Sequence, residues 1–480
     1  MTSDQRISRI FKNTFYLFSG DTLSRLLTWA QIAYLTRAWT EVATYGQYAL
    51  VINWIAIFMI FSEMGLNALA VREVARRRES AVFYLRNVMI LRGSFSIFFW
   101  ILLISVSFIF NYELVVKTAM AILGLRVLLD SIAGGYVYLL QSHQKMGLYS
   151  LTTVISAIVR FVGIFLIVRA GGGVVEACWM WVLSSAISLF LLMVIGFREK
   201  WKPNFLQFNL KDVLIVLKKS LPLAAFGTFQ VLYYRVDEVI LKNLLGNEAV
   251  GYYDLATRIL LVVLATSQQY ATAVFPVFSS LQDDATAFGR LAARSLKILG
   301  LLSVPITVGG CLLAKPIIQL ISGSKYTLAG PLFAVLILSV IPFFVSNVFV
   351  GVLAVKNTFR LNLQFLLLFI LNVVLNLVLI PIIGVSGAAW ATVLCEFMGI
   401  GLGFWLARPY IAYPSDMNFI RPVVGCLLAS GLMGTGIWLD PRLYWLVLGP
   451  AVYGVGLYLF SALEHEEWNS LFAFLKKSLI

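Results

Sequence analysis

Residues 220–259 read SLPLAAFGTFQVLYYRVDEVILKNLLGNEAVGYYDLATRI, a long and largely apolar stretch that contains charged residues. Its first part, Ser220 to Leu245, is long and apolar enough to cross a bilayer. Three charged residues nevertheless lie well inside it: Arg235, Asp237 and Glu238. Each would cost about 2.5 to 3.5 kcal/mol in hydrocarbon, so we expect them to face a bundle interior or a hydrated cavity.

These three charges are predicted to point in different directions. Arg235 and Glu238 are three residues apart and share a helix face, whereas Asp237 lies on another face and is expected to meet a neighbouring helix. Arg235 and Glu238 would form either a buried structural ion pair or part of a substrate site. The sequence leaves both interpretations open.

The composition of the whole chain is that of a polytopic helical membrane protein. Its 480 residues are 60% hydrophobic and only 12% charged. The mean hydropathy of +0.89 excludes a water-soluble fold of this size. The net charge of +14 comes from short basic runs between apolar spans. That placement is typical of topology signals, so nucleic acid is not expected as a partner.

The few cysteines and histidines form no pattern that indicates a cofactor. The four cysteines are scattered without CxxC spacing, and His143 and His465 fall in a loop and in the tail. Neither a metal site nor a disulfide framework is expected. The chain also lacks a GxxxxGK[ST] nucleotide loop, so we expect transport to depend on the membrane potential and not on ATP.

Apolar runs of roughly 20 residues between polar breaks predict about fourteen membrane spans. The first run is too long for the core of a signal peptide and carries Asp21 and Arg25, so it should remain as a membrane helix. Basic residues concentrate in the loops that follow even-numbered spans. This bias predicts a multi-pass protein of the cytoplasmic (inner) membrane with both termini in the cytoplasm.

Two pairs of short matches predict an internal repeat of six spans. Gly173 to Trp179 resembles Gly384 to Trp390, and Tyr45 to Tyr48 resembles Val250 to Tyr253, at similar offsets and in the same order. Because six is an even number, the two repeats would be parallel, as in transporters that open alternately to either side.

The repeat predicts the domain organisation. The stretch FLQFNLKDVLIVLKK, residues 205–219, places apolar and basic residues as in an amphipathic helix on the inner membrane surface. We therefore predict an N-terminal six-helix lobe over 1–197, a cytoplasmic amphipathic linker over 198–219, a C-terminal six-helix lobe over 220–408, and two additional helices with a cytoplasmic tail over 409–480.

Charges within the predicted spans suggest a binding site. In three cases an acid and a base lie four residues apart on one helix face, and each such pair alone is compatible with a structural salt bridge. As a set, the arginines predict a cationic central cavity between the halves, because guanidinium groups match phosphate oxygens. The candidate substrate-binding residues are Arg25, Arg126, Arg160, Arg235 and Arg258. The candidate coupling or charge-pair residues are Asp21, Asp130, Asp237, Glu238 and Asp254.

Several short motifs follow one another along almost the whole chain. They are Tyr45 to Tyr48, Glu63 to Asn67, Val71 to Arg76, Ser220 to Leu223, Tyr234 to Asp237, Glu248 to Tyr253 and Phe275 to Val277. In this order the chain resembles the polysaccharide-biosynthesis lipid flippases (O-antigen flippase, Wzx-type) of the multidrug/oligosaccharidyl-lipid/polysaccharide (MOP) exporter superfamily. The resemblance implies a V-shaped transporter of twelve to fourteen helices. It would move an isoprenoid-diphosphate-linked oligosaccharide from the inner to the outer leaflet by alternating access.

This function would require particular partners. They are the lipid-linked oligosaccharide, membrane lipids, a coupling ion (a proton or Na⁺), and polysaccharide polymerase or assembly proteins. Two alternatives stay open: a multidrug or small-molecule exporter of the same superfamily, and a membrane glycosyltransferase or polymerase. An exporter of cations would need acids without basic neighbours, and a polymerase would need a long outer loop; the sequence favours neither.

Overall fold

The computed structural model of the chain is built from α-helices, and it describes residues 3–203, 205, 208–411, 420–460 and 462. His465 and the predicted tail around it lie outside the described residues. The chain divides into two compact units, Met1–Gly251 and Tyr252–Ile480. The assignment of six spans to each lobe stays a prediction.

Among the described residues, the first unit contains eight α-helices and the beginning of a ninth. They are α1 (Ser3–Ala38), α2 (Val42–Glu63), α3 (Leu66–Arg76), α4 (Ala81–Ile109), α5 (Leu114–Ser142), α6 (Met146–Arg169), α7 (Val174–Arg198), α8 (Leu210–Leu245) and α9 (Asn247–Ser280). The second unit contains the remainder of α9 and the helices that follow. They are α10 (Ala285–Leu312), α11 (Ala314–Ser322), α12 (Ala329–Leu336), α13 (Val340–Lys356), α14 (Thr358–Ile383), α15 (Val385–Ala407), α16 (Ile420–Leu439) and α17 (Trp445–Leu459).

Within the described residues, ten helical segments are long and apolar enough to cross a membrane. Three further helices, α1, α5 and α8, are 29 to 36 residues long and carry charges at the positions that the sequence places inside spans. The last helix, α17, is a shorter apolar helix. The prediction of an all-α polytopic membrane protein is confirmed, and these helices are compatible with about fourteen spans.

The pairing of α4 with α5 forms much of the first unit's core and depends on small residues. Ser96 on α4 and Ser131 on α5 approach to 2.5 Å between their hydroxyl oxygens. A Cβ added to Gly124 of α5 would lie only 1.7 Å from the indole ring of Trp100 on α4. Such contacts let the two backbones approach closely, as is usual between membrane helices.

The predicted amphipathic linker continues directly into the next long helix. Asn209 caps α8, because its Oδ1 accepts a hydrogen bond of 3.0 Å from the backbone N–H of Lys211. Val213 and Val216 of α8 are buried in the core of the first unit. Arg86 of α4 donates to the Asp212 carboxylate at 3.3 Å. The first turns of α8 therefore pack against other helices of the first unit, while Leu214 on another face of α8 is exposed.

A charged contact joins the connection between α4 and α5 to the end of α8. Glu113 Oε1 accepts hydrogen bonds from Lys242 Nζ at 2.6 Å and from Asn247 Nδ2 at 3.0 Å. Partial burial works to raise the pKa of Glu113, but these hydrogen bonds outweigh it and the pKa is lowered. The carboxylate thus stays ionised and holds the two connections together.

Gly46 of α2 allows the backbone of α9 to approach closely. A Cβ at this position would lie 1.8 Å from the carbonyl oxygen of Asn247 and 3.0 Å from the backbone nitrogen of Gly251. Because both are main-chain atoms, no side-chain rotation can relieve the clash. The Tyr45 to Tyr48 motif therefore has a packing role at this crossing.

We predict that Gly46→Ala lowers the unfolding free energy by about 1–3 kcal/mol, since the added methyl group overpacks a backbone contact. The measurement is the apparent melting temperature of the detergent-purified protein. The control is Gly93→Ala in α4, where an added Cβ meets nothing within 4 Å. Equal melting temperatures for Gly46→Ala and the wild type would contradict the packing account.

Candidate functional site: a polar cavity in the first unit

A polar cavity of about 380 Å³ lies within the first unit. Side chains from α1, α2 and α3 and from α4 to α7 contribute to its wall. Among the described residues, its charged lining consists of three arginines and two carboxylates: Arg92, Arg126, Arg160, Glu63 and Asp130. The cavity therefore carries one positive charge in excess. Its neutral lining includes hydroxyl and amide groups, among them Ser24, Asn67, Gln141, Thr152 and Ser156.

Two of these arginines lie over one aromatic ring. The guanidinium carbon of Arg126 is 4.1 Å from the ring centroid of Trp181, and that of Arg160 is 3.9 Å away. Both distances are well within the range of a cation–π interaction, which is strengthened when the partners are shielded from water. Trp181 on α7 thus fixes the relative positions of guanidinium groups from α5 and α6.

A chain of hydrogen bonds connects Arg160 back to the same tryptophan. Arg160 Nε donates to Gln31 Oε1 at 3.2 Å, and its terminal nitrogen donates to the Thr28 hydroxyl at 2.9 Å. Gln31 Nε2 and Trp181 Nε1 each donate to the Tyr48 hydroxyl at 2.7 Å. The network orients Arg160 through uncharged partners, so the positive charge of its side chain is not neutralised by these contacts.

Arg126 has a different electrostatic environment. Its Nε lies 3.1 Å from Asp130 Oδ2, one helical turn away on α5, and both side chains are largely buried. The spacing of four residues that predicted this ion pair also predicted two others, and the structure forms all three. Arg126 therefore reaches the cavity with its own counter-ion, whereas Arg160 does not.

The other predicted residues of the first unit do not line this cavity. Asp21 and Arg25 form an ion pair of 2.7 Å on α1, with about 60% of each side chain exposed. Arg235 of α8 donates to Asn53 Oδ1 at 3.2 Å, and Asn53 Nδ2 donates to the Arg235 carbonyl oxygen at 2.6 Å. These contacts hold α8 against α2.

Asp237 and Glu238 are both buried on α8, with relative exposures of 5% and 2%. Asp237 and Glu238 are absent from the cavity wall described above. Their predicted role in coupling stays a prediction.

In the second unit, Asp254 and Arg258 of α9 form the third pair, with 2.6 Å between Oδ2 and Nε. The Asp254 side chain is almost fully buried, and that of Arg258 is 17% exposed. This unit also contains an apolar cavity of about 470 Å³, lined by residues of α10, α13, α15 and α16. The two charged residues do not line it.

Sequence reasoning missed five residues that belong to the first unit's cavity or support it: Trp181, Tyr48, Glu63, Asn67 and Arg92. Arg92 carried a usable signal, because it is a charge within the third predicted span. Glu63 and Asn67 belong to a motif quoted above, but their type gave no indication of their direction. Met64 and Gly65 between them have positive φ values of 44° and 70°, which end α2 and start α3.

A family model described as "Polysaccharide biosynthesis protein" matches residues 10–282, more than half of the chain. The chain belongs to this family. The matched range includes residues 10–251 of the first unit and therefore the whole cavity wall described above. The resemblance inferred from the sequence motifs is confirmed.

Two relatives of this polysaccharide biosynthesis protein illustrate the range of similarity. "Probable flippase AglR" of Haloferax volcanii is 32% identical over 177 residues, covering 35% of this chain and 36% of AglR. "Lipopolysaccharide biosynthesis protein WzxC" of Escherichia coli is 24% identical over 246 residues, covering 51% of this chain and 47% of WzxC. The chain thus spans about a third to a half of the length of these curated relatives.

Solved structures resemble the family member over a larger share of its length. The lipid II flippase MurJ in an inward closed conformation matches with a TM-score of 0.76 and 18% identity, covering 93% of this chain and 98% of MurJ. A multidrug resistance MATE family transporter of the MOP superfamily, in an inward-facing conformation, matches with a TM-score of 0.66 and 15% identity. This match covers 80% of this chain and 94% of the transporter. At these identities the likeness establishes a MOP-type fold.

We predict that Trp181 and Arg160 stabilise the folded protein cooperatively. In a double-mutant cycle of Trp181→Leu and Arg160→Met, the coupling energy should be about 0.5–2 kcal/mol, the strength of a cation–π contact. The measurement is the unfolding free energy in detergent micelles. A control cycle of Trp181→Leu with Arg25→Met should be additive to within about 0.5 kcal/mol, because the Arg25 side chain is exposed on α1. A coupling of zero in the first cycle would contradict the stacked arrangement.

Proposed function

We propose that the protein is a lipid flippase for surface polysaccharide or O-antigen biosynthesis. Its substrate is an isoprenoid-diphosphate-linked oligosaccharide, which moves from the inner to the outer leaflet of the cytoplasmic membrane by alternating access. The cavity of the first unit binds the diphosphate during this movement. Membrane lipids surround the protein, and both termini lie in the cytoplasm.

The observation that carries this proposal is the charge of Arg160. Its hydrogen-bond partners Gln31 and Thr28 are neutral, and its ring partner Trp181 carries no charge. A desolvated guanidinium of this kind is stabilised by an anion, and phosphate oxygens match its planar set of donors. Arg126, held over the same ring, supplies a second guanidinium for a second phosphate group.

The size and lining of the cavity support a headgroup site. Its volume of about 380 Å³ is within the ~300–1,000 Å³ that small-molecule sites occupy, so it suits a diphosphate with adjoining sugar and not a whole lipid. The hydroxyl and amide groups of the wall offer hydrogen bonds to sugar hydroxyls. The isoprenoid tail would remain in the apolar surroundings of the helices.

Similarity to known proteins supports transport over catalysis. AglR is described as a probable flippase and MurJ as a lipid II flippase. The excess positive charge of the cavity disfavours the alternative of an exporter for cationic drugs, since like charges repel in a site of low dielectric constant. A proton or Na⁺ as coupling ion, and assembly or polymerase proteins as partners, remain parts of the proposal.

We predict that Arg160→Gln slows lipid translocation by roughly ten- to a hundredfold, the equivalent of one lost charged hydrogen bond of about 1.5–3 kcal/mol. Arg160→Lys should fall between this variant and the wild type, because it keeps the charge but loses the bidentate fork. The measurement is the movement of a fluorescent isoprenyl-diphosphate oligosaccharide across proteoliposome membranes.

The matched control is Arg169→Gln. It removes the same charge from the same helix, at the exposed end of α6 and outside the cavity wall. Translocation by this variant should equal that of the wild type. The proposal fails if the wild type moves the labelled lipid no faster than protein-free vesicles do. It also fails if Arg160→Gln and Arg169→Gln are indistinguishable.

A further inference from the structure

Arg92 lies in the middle of α4, and its guanidinium group reaches the polar cavity of the first unit. The residue is 8% exposed. A Cβ added to Gly134 of α5 would lie 2.5 Å from the guanidinium carbon and from one terminal nitrogen of Arg92. The bare backbone of Gly134 therefore forms the surface on which this guanidinium rests, and both residues line the cavity.

The guanidinium of Arg92 makes no hydrogen bond among the described residues, and the Glu63 and Asp130 carboxylates interact with its charge only from beyond ion-pair distance. Its Nε is buried without a hydrogen bond, and its side chain takes part in none of the ion pairs of the described residues. In this respect it differs from Arg126, which is paired with Asp130, and from Arg160, which donates to Gln31 and Thr28. A buried arginine whose N–H donors make no hydrogen bond within the described part of the protein can accept a ligand that supplies the acceptor.

Asn67 supplies a second polar group in the same cavity without a hydrogen bond among the described residues, and this group is an acceptor. Asn67 Oδ1 is buried and accepts no hydrogen bond within the described part of the chain. The left-handed backbone at Met64 and Gly65 turns the chain between α2 and α3, so that both Glu63 and Asn67 line the cavity. The cavity thus presents an unused cationic donor together with an unused neutral acceptor.

Few ligands satisfy both groups at once. A phosphate group of the diphosphate supplies acceptors for the N–H groups of Arg92 and a complementary charge, but it has no donor for Asn67 at neutral pH. A sugar hydroxyl supplies that donor. The two requirements meet in a sugar attached to a phosphate.

We propose that Arg92 and Asn67 form the subsite that recognises the junction between the diphosphate and the first sugar of the lipid-linked substrate. This inference rests on the flippase function proposed above and adds the residues that select its headgroup. Arg92 binds a phosphate oxygen, and Asn67 accepts a hydrogen bond from a hydroxyl of the adjoining sugar. Gly134 is a positioning residue, because any side chain at this position would displace the guanidinium.

The test is ligand binding to the full-length protein in phosphatidylcholine nanodiscs, measured by thermophoresis. The probes are farnesyl diphosphate, the same lipid with one N-acetylglucosamine on the diphosphate, and inorganic diphosphate. The wild type should bind the sugar-bearing lipid most tightly. Arg92→Gln should weaken binding of both lipids by roughly tenfold or more, as expected for a lost charged hydrogen bond. Arg92→Lys should have an intermediate effect.

Two further variants separate the roles of the neighbouring residues. Gly134→Ala should weaken binding of both lipids to a similar degree as Arg92→Gln. The matched control is Gly135→Ala, where the added Cβ meets the flexible side chain of Met89 and the residue does not line the cavity. Asn67→Leu should reduce the preference for the sugar-bearing lipid by roughly fivefold, the equivalent of one neutral hydrogen bond. The melting temperature of each variant checks that it is folded.

The outcomes distinguish this inference from the function on which it rests. If Arg92→Gln and Gly134→Ala bind both lipids as the wild type does while Arg160→Gln does not, the subsite is wrong and the flippase proposal stands. An unchanged preference in Asn67→Leu overturns the sugar contact. Equal affinity of the wild type for inorganic diphosphate and farnesyl diphosphate would identify a site for free phosphates and overturn the lipid assignment. A wild type that binds neither lipid contradicts both proposals.

Discussion

A guanidinium group inside an apolar helix bundle keeps its charge and its five donors, and the rest of the first unit is built around this constraint. The charge of Arg126 is balanced by the carboxylate of Asp130, one turn away on the same helix. Arg160 packs on the indole ring of Trp181 and donates hydrogen bonds to neutral oxygen atoms of α1. Arg92 makes no hydrogen bond among the described residues, and the Glu63 and Asp130 carboxylates interact with it only at longer range. The cavity therefore keeps a net positive charge, and N–H donors of Arg92 remain without a hydrogen-bond acceptor among the described residues.

The sequence predicted the features that depend on local spacing. Charges at i and i+4 share a helix face, and the pairs Asp21 with Arg25, Arg126 with Asp130 and Asp254 with Arg258 all form. Apolar run lengths likewise predicted the all-helical membrane fold, because the thickness of a bilayer sets the length of a spanning helix. Both are one-dimensional properties that can be read without knowing which helices are neighbours.

The cavity itself depends on contacts between helices that are distant in sequence. Trp181 carries no local signal for a binding site, and only the packing of α7 places its ring against Arg126 and Arg160. Glu63 and Asn67 both face the cavity because the backbone turns through left-handed conformations at Met64 and Gly65. The role of Gly134 becomes visible only from its contact with Arg92. Arg25 and Arg235 were predicted to line a cavity between the two halves, and the contacts described for them are with Asp21 and Asn53.

The partners of each arginine distinguish structural from functional charges in this family member. An arginine with an acid on its own helix is stabilised before any ligand arrives, so its presence alone is weak evidence for a binding site. An arginine whose partners are neutral retains electrostatic free energy that an anion can use. By this criterion Arg160 is a stronger candidate for substrate contact than Arg25 or Arg258, and Arg92 is a candidate because its N–H donors make no hydrogen bond among the described residues.

The central claim is that the diphosphate of a lipid-linked sugar binds in the cavity of the first unit. The most direct measurement is an electron cryo-microscopy structure of the wild-type protein in nanodiscs, saturated with an isoprenyl-diphosphate disaccharide. We expect density for the two phosphate groups beside Trp181, one within hydrogen-bond distance of Arg160 and the other within hydrogen-bond distance of Arg126 or Arg92. Phosphate density at another place in the protein, with this cavity holding only water, would contradict it.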